Sequence, residues 1–414
     1  MASSEVKGRH DVPSFVLLDT RSYNTGRSNS TTATSKTSTD LPIEVTFCAA
    51  HPPDLSYLFI HCPGLEVDPT NLSLTPKIIS ADADLILLRV PRDPMARMIP
   101  SHSDYFVYKL NPEQSKLYLL PNPYPECFSD NEIAILGYGN RFAVATIRMP
   151  LRDFSFMLHL YHSGPDGKSG SWTSQRVPVE EPQRDIVCPI PDSAQRLMYH
   201  LTTKVITLGV LKSKDTIKYV EMEITRPTKV TWIASTSDSD SYYEWLNHQK
   251  LPRSYSLVPG SWKMTTWSMP IPITSWDSWH RRCTIRSEDI NLPSDNTRHY
   301  ELLRKLMSSG GTEEEKATEA TLSLGCLHMA YPTMSIADDD DVVYLLSKGT
   351  SIRSVEMGVA VDAGTGTLQG VVKLDTKRHV GFMRCCIVSG ISKHLKTTCT
   401  CTVFAHFCVN CSGC

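Results

Sequence analysis

The residues best placed for chemistry gather at the end of the chain: Cys399-x-Cys401, then Cys408-x-x-Cys411-x-x-Cys414, with His394 and His406 nearby. A two-residue gap lets two thiolates face one ion, so this spacing is what a tetrahedral zinc site needs. The surrounding segment is short and has no core-forming apolar run of its own, which makes an unstructured or partly buried tail the competing reading. Lipidation does not fit, because Cys411-Ser-Gly-Cys414 lacks the aliphatic middle residues of a prenylation box.

A second stretch, Gly164-Pro-Asp-Gly167-Lys168-Ser169, has the look of a phosphate-binding loop. Such a loop needs an earlier glycine and a following helix whose amides face the phosphate. Here His162 holds the first glycine's place, and Gly-Ser-Trp-Thr-Ser-Gln-Arg-Val-Pro-Val follows, a β-like run carrying a proline. Gly-Pro-Asp-Gly is instead strong turn chemistry, so the stretch reads as a hairpin turn. His159 and His162 lie on the strand before it without a Gly-x-Ser-x-Gly context, and read as core or surface histidines. The acidic run Asp338 to Asp341 lacks the ligand alternation of a calcium loop and reads as a solvated turn. Trp262, Trp267, Trp276 and Trp279 read as packing residues. No catalytic residue and no cofactor is assigned.

The elements that would position these groups are short β-rich runs bounded by Pro, Gly and Asp. Phe15 to Asp19, Ile43 to Cys48, Tyr57 to Cys62, Leu85 to Val90, Tyr105 to Leu110, Lys116 to Leu120, Glu132 to Leu136 and Phe142 to Ile147 follow one another without an intervening helix. That rhythm predicts antiparallel meanders and an all-β sandwich, barrel or propeller. Strands continue through Ile217 to Ile224 and Lys229 to Ile233, and return at Val342 to Leu346, Met357 to Asp362, Leu368 to Leu374 and Val380 to Val388. A polar stretch with several tryptophans separates them, Ser235 to Trp279, and helical periodicity is confined to Asn296–Ser308 and Glu313–Leu324. Residues 21–40 are almost wholly Ser, Thr and other polar types, which predicts a mobile loop. The domain plan is a disordered 1–14, a β-domain over 15–395 and a Cys-rich tail over 396–414.

Composition narrows the partners. Lys and Arg number 42 against 44 Asp and Glu, a formal charge of -2 without a long basic run, so nucleic acid is not an expected ligand. No segment approaches 18 apolar residues, and the polar start MASSEVKGRHDVPSF does not read as a secretory signal; no membrane association is expected. The 13 cysteines, an odd number without a frame, read as reduced thiols, and the expected location is cytoplasmic or nuclear. Asn29-Ser-Thr31 and Asn71-Leu-Ser73 match the glycosylation pattern but are expected to stay unmodified there.

The order Tyr105-Phe-Val-Tyr, Leu117-Tyr-Leu-Leu-Pro, Phe142-Ala-Val-Ala, Leu158-His-Leu-Tyr-His-Ser and Trp172 resembles the blades of plant F-box-associated β-propellers. Val45 to Pro53, His61-Cys-Pro-Gly64, Ala83 to Val90, Thr202 to Gly209, Ile217 to Met222 and Asp341 to Leu346 resemble, more specifically, the grass-expanded family called domain of unknown function 1618. The resemblance implies a β-propeller-like repeat and supplies no catalytic residues. Against the family pattern, only Val210–Thr216 stands where a longer segment is usual, which implies an incomplete propeller lacking about one blade of roughly 40–50 residues. The chain also leaves the pattern after Leu395. The expected function is a non-enzymatic protein-protein interaction module with an unidentified protein partner; the alternatives are zinc binding through the terminal cysteines and an uncharacterised hydrolase.

Overall fold

The computed structural model describes residues 12–23, 25–65, 74–97, 100–122, 130, 132–148, 155–167, 169–178, 202–210, 215–225, 228–231, 255–258, 261–272, 278–291, 299, 301–303, 324, 328–337, 340–348, 356–374 and 386–395. By its internal contacts the chain divides into two compact units, Met1–Ile186 with Cys386–Cys414, and Val187–Cys385.

The first unit holds three sheets. The first is built from β1 (Val16–Asp19), β2 (Ala33–Lys36), β3 (Pro42–Cys48) and β4 (Leu55–His61). The last described strand of the chain, β23 (Cys386–Ser389), returns to pair antiparallel with β1, giving the order β2-β3-β4-β1-β23. The β1–β4 pair is parallel, with Leu17 opposite Leu55. The second sheet is the meander β5 (Lys77–Asp82), β6 (Leu85–Pro91), β7 (Ser103–Lys109) and β8 (Lys116–Leu120). The third is the meander β9 (Ile133–Tyr138), β10 (Arg141–Arg148), β11 (Ser155–Ser163) and β12 (Gly170–Pro178).

In the second unit, β13 (Thr202–Val210), β14 (Thr216–Thr225), β17 (Trp262–Pro270) and β18 (His280–Arg286) form the fourth sheet. The ribbon β15 (Thr228–Thr231) and β16 (Tyr255–Val258) lies between β14 and β17 in sequence. The fifth sheet is β19 (His328–Met334), β20 (Val342–Lys348), β21 (Glu356–Asp362) and β22 (Thr367–Lys373). The fold is therefore all-β, as the strand rhythm predicts, and of the β-propeller class that the resemblance implies, with five blade sheets and few helical turns among the described residues. At the shortened segment, Val210 pairs with Ile217, so the gap falls at a hairpin connection and interrupts neither strand. Of the two predicted helices, His299 and 301–303 are helical and Leu303 is buried, while 313–323 lie outside the described residues.

Why Leu85-Ile-Leu-Leu-Arg-Val and Tyr105-Phe-Val-Tyr are nearly continuous apolar runs is visible in the packing. Ile86, Leu88, Phe106 and Tyr108 face a core shared with the first sheet, including Val16, Phe47 and Ile60. Their alternates Leu85, Leu87, Tyr105 and Val107 face a core shared with the third sheet, including Ile135, Phe142 and Tyr161. A strand covered on both faces has no polar side to alternate with. In the second unit, Val220, Met222, Trp262 and Met264 pack with Val343, Leu345, Val359 and Val361. Fully burying each such side chain stabilises by about 1.5–3 kcal/mol before entropy is counted.

Residues 21–40 differ from the mobile loop their composition predicts. Their hydroxyls and amides serve as internal donors and acceptors: Asn29 Nδ2 donates to the Phe47 carbonyl (3.0 Å), and Thr31 N and Oγ1 both donate to Asn29 Oδ1 (2.7 and 2.6 Å). Thr31, Ala33 and Thr37 are buried, and β2 pairs with β3 in register from Ala33↔Val45 to Lys36↔Pro42. Polar composition is compatible with order when the backbone next to it is a sheet edge.

Tyr108 anchors this segment by donating from Oη to the Thr31 carbonyl (2.7 Å). Burial pushes its phenol up to about 12, opposed by the hydrogen bonds to Ser115 and Thr31. The folded-state value lies above the unfolded one, so its contribution is fully present below about pH 10 and lost as pH rises through about 12. A shift of this size corresponds to about 2–3 kcal/mol. Denaturant titrations across pH 9–12 are expected to show stability falling in this window, with a shallower fall in Tyr108→Phe; parallel curves for the two proteins would refute the assignment.

Candidate functional site

Consecutive sheets are tied together by carboxylates that the sequence places at strand ends. Asp104, at the start of β7 and 1% exposed, accepts hydrogen bonds from Ser38 N (2.8 Å) and Ser38 Oγ (2.7 Å) in the β2–β3 turn. Asp82, at the end of β5, accepts from Gly137 N on β9 (2.7 Å). Asp130 pairs with Lys77 Nζ (3.0 Å) and Arg89 Nη1 (2.9 Å). In the second unit the ammonium of Lys218, itself 1% exposed, donates to the carbonyls of Asp340 (2.5 Å) and Ala337 (3.4 Å) and lies 3.7 Å from Asp341 Oδ1. Asp341 Oδ2 also meets Arg282 Nη2 at 2.9 Å. The acidic run expected to be a solvated turn is therefore, at Asp340 and Asp341, a half-buried clasp on a buried lysine; 338–339 lie outside the described residues. Charge satisfied in this way is structural.

The third sheet carries a different surface. One face, with Ile133, Ile135, Phe142, Val144 and Tyr161, is core. On the other, ladder partners Leu136, Ala143 and His162 lie side by side, as do Ile147 and Leu158, and Tyr138 and Arg141. Leu136 is 54% exposed, Ile147 51% and Tyr138 41%, and Val177 of β12 is also exposed. Tyr138 Oη lies 3.2 Å from His162 Nδ1, which fixes both rings on this face. These open apolar side chains are grouped on one sheet face and bordered by the exposed Arg141.

His159 and His162, three apart on one strand, fall on opposite faces. His159 is buried with Nδ1 2.7 Å from Ser174 Oγ, a core histidine, whereas His162 belongs to the exposed face. The Gly164–Ser169 stretch is the β11–β12 turn: Asp166 Oδ1 accepts from Ser169 N (3.0 Å) and Oγ (2.6 Å), and Gly164 N donates to the Ser169 carbonyl. Trp262 is in the core and Trp279 packs on Tyr219 with ring centres 5.6 Å apart; Trp276 lies outside the described residues. Cys399, Cys401, Cys408, Cys411 and Cys414 also lie outside them. Among the described residues no group of three or more His, Cys, Asp and Glu side chains is placed to hold a metal, and no helix is long and apolar enough to cross a membrane. Burial and the nearby Asp341 raise the Cys283 thiol, against the Thr266 hydroxyl that lowers it, so Cys283 is a thiol held protonated rather than a ready nucleophile.

A cavity of about 220 Å³ in the second unit is lined by Glu223, Thr225, Ser261, Trp262, Lys263, Arg286 and Glu288. Part of its lining is paired internally: Lys263 meets Glu223 at 3.0 Å and Thr225 Oγ1 lies 3.4 Å from Ser261 Oγ, while Glu288 accepts from Ser287 Oγ at 3.1 Å outside the lining. Sequence reading missed both the Lys218 clasp and the open face. The signal for the second was present in β9, where Ile-Ala-Ile-Leu-Gly-Tyr is apolar on both faces although the strand lies at a sheet edge.

The fold and this face define a β-propeller-class protein with an exposed apolar surface. Residues 178–344 match the family model described as protein of unknown function (DUF1618), so this part of the chain is similar to that family. No curated protein matches the chain. Among solved structures, a point mutant of the Synechocystis apocarotenoid oxygenase is 7% identical, with 87% of this chain and 71% of that chain covered and a TM-score of 0.19. The tail fibre of a Staphylococcus aureus phage is 10% identical, with 83% of each chain covered and a TM-score of 0.13. Neither likeness carries an argument about function.

Proposed function

We propose that this chain is a non-enzymatic protein-protein interaction module, an intracellular plant protein of the kind its sequence pattern resembles, the F-box-associated β-propellers. The observation that carries the reading is the open face of the third sheet, where Leu136, Ile147 and Tyr138 are each more than 40% exposed. The partner that fits is a protein with an apolar surface and an acidic side chain for Arg141, which stands opposite Tyr138 on the same face. The rigid ladder beneath holds these groups in place, so little ordering entropy opposes binding.

The test is proximity labelling in plant cells with the wild type and with Leu136→Asp/Ile147→Asp, followed by binding measurements with the purified partner. Both positions are exposed, so the double variant is expected to unfold at the wild-type temperature. Loss of the two most exposed apolar side chains of the face is expected to weaken binding about tenfold or more. Equal labelling and equal affinity for the two proteins would overturn the reading.

A further inference from the structure

We infer that the outer strand of the third sheet, β12, pairs edge to edge with β12 of a second copy of this chain. β12 is nine residues long, and all but Trp172 are exposed. Its outward backbone groups form a row that another strand can complete. The other outer edges are guarded. β8 has five residues and β2 four, β22 has only two exposed residues of seven, and β18 carries Arg281, Arg282 and Arg286, which would repel a copy of itself. β12 carries one charge, Arg176, and its proline stands at the last position, where a missing N–H costs only the end of the ladder.

The occupant follows from the strand's own pattern. In an antiparallel pair about a two-fold axis, one residue must face itself, and Ser174 is the midpoint of Gly170–Pro178. In that register Thr173 faces the second copy's Gln175, and Trp172 faces its Arg176 on the same side of the sheet. The indole is already fixed there, 5.5 Å from the Tyr161 ring with Nε1 donating to the Pro121 carbonyl (2.7 Å). A guanidinium directly opposite can therefore lie over an immobilised ring, and the two-fold makes this cation–π contact twice. The nine residues pair without overhang, and the two Arg176 side chains stand at opposite ends of the seam. An unrelated extended peptide would have to supply both partners by chance. This inference concerns the edge of the sheet and stands apart from the face assigned above to a protein partner.

The self-facing position supplies the test. Sedimentation equilibrium of the full-length chain is expected to give twice its 46.3 kDa mass. Ser174→Ala, which removes the same hydroxyl as the charged variants, is expected to remain dimeric. Ser174→Lys alone and Ser174→Glu alone each place like charges opposite one another and are expected to weaken the dimer about tenfold, whereas an equimolar mixture of the two restores it. A monomeric wild type overturns the inference. So does a dimer that Ser174→Lys and Ser174→Glu leave unchanged, because its contact would then lie elsewhere.

Discussion

Replacing Gly167 by alanine is expected to destabilise the first unit by about 3 kcal/mol, seen as a lowered denaturation midpoint at unchanged slope. Two separate costs meet at this residue. Its φ is +72°, in the left-handed region, where a side chain costs roughly 1–2 kcal/mol. A Cβ there would also stand 2.6 Å from Tyr118 Cζ and 2.9 Å from its hydroxyl. Tyr118 cannot swing aside freely, because it is buried in the core between the second and third sheets with its ring 6.2 Å from Phe142. Gly139 isolates the first cost: its φ is +56°, and a Cβ there meets nothing within 4 Å. Gly139→Ala is therefore expected to cost only about 1 kcal/mol. Equal effects at the two glycines would mean that the Tyr118 contact does not constrain the turn.

Lys218→Met is expected to cost about 3–5 kcal/mol in the second unit, although methionine matches the lysine stem in length. The ammonium is what the carbonyls of Ala337 and Asp340 accept from and what neutralises one side of Asp341. Removing it leaves those acceptors in a place water barely reaches, and an unmet buried acceptor costs more than a made hydrogen bond stabilises. Arg282 provides the contrast. It reaches the same carboxylate at 2.9 Å, but its side chain is 42% exposed, so Arg282→Ala is expected to cost under about 1 kcal/mol. Urea unfolding of both variants separates the cases, and a Lys218→Met protein within about 1 kcal/mol of wild type would show that the clasp does not hold the fourth sheet to the fifth.

Much of the fold was legible along the chain. The runs Leu85 to Val90 and Tyr105 to Leu110 show their strands because both faces are covered, and Gly164-Pro-Asp-Gly167 shows its turn through residue types that few other conformations accept. Other strands were hidden in polar stretches. β2 reads Ala-Thr-Ser-Lys and β17 reads Trp-Lys-Met-Thr-Thr-Trp-Ser-Met-Pro, yet β17 sits between β14 and β18 with Thr265 and Thr266 buried. Threonine there forms contacts across the ladder, such as Thr265 Oγ1 to Thr284 Oγ1 at 3.2 Å, which a hydropathy pattern does not reveal.

The two surfaces that carry the functional reading divide along the same line. Strand rhythm, turn chemistry and the absence of a basic run are local or summed properties of the residues, and they settle an all-β fold of blade sheets without help from distant contacts. Whether Lys218 is solvated or clasped, whether His159 or His162 is the buried one, and whether Leu136 and Ile147 meet a neighbouring sheet or open space depend on segments far away in sequence. Burial is a property of what another sheet covers, so only tertiary packing decides which apolar residues become core and which stay available to a partner.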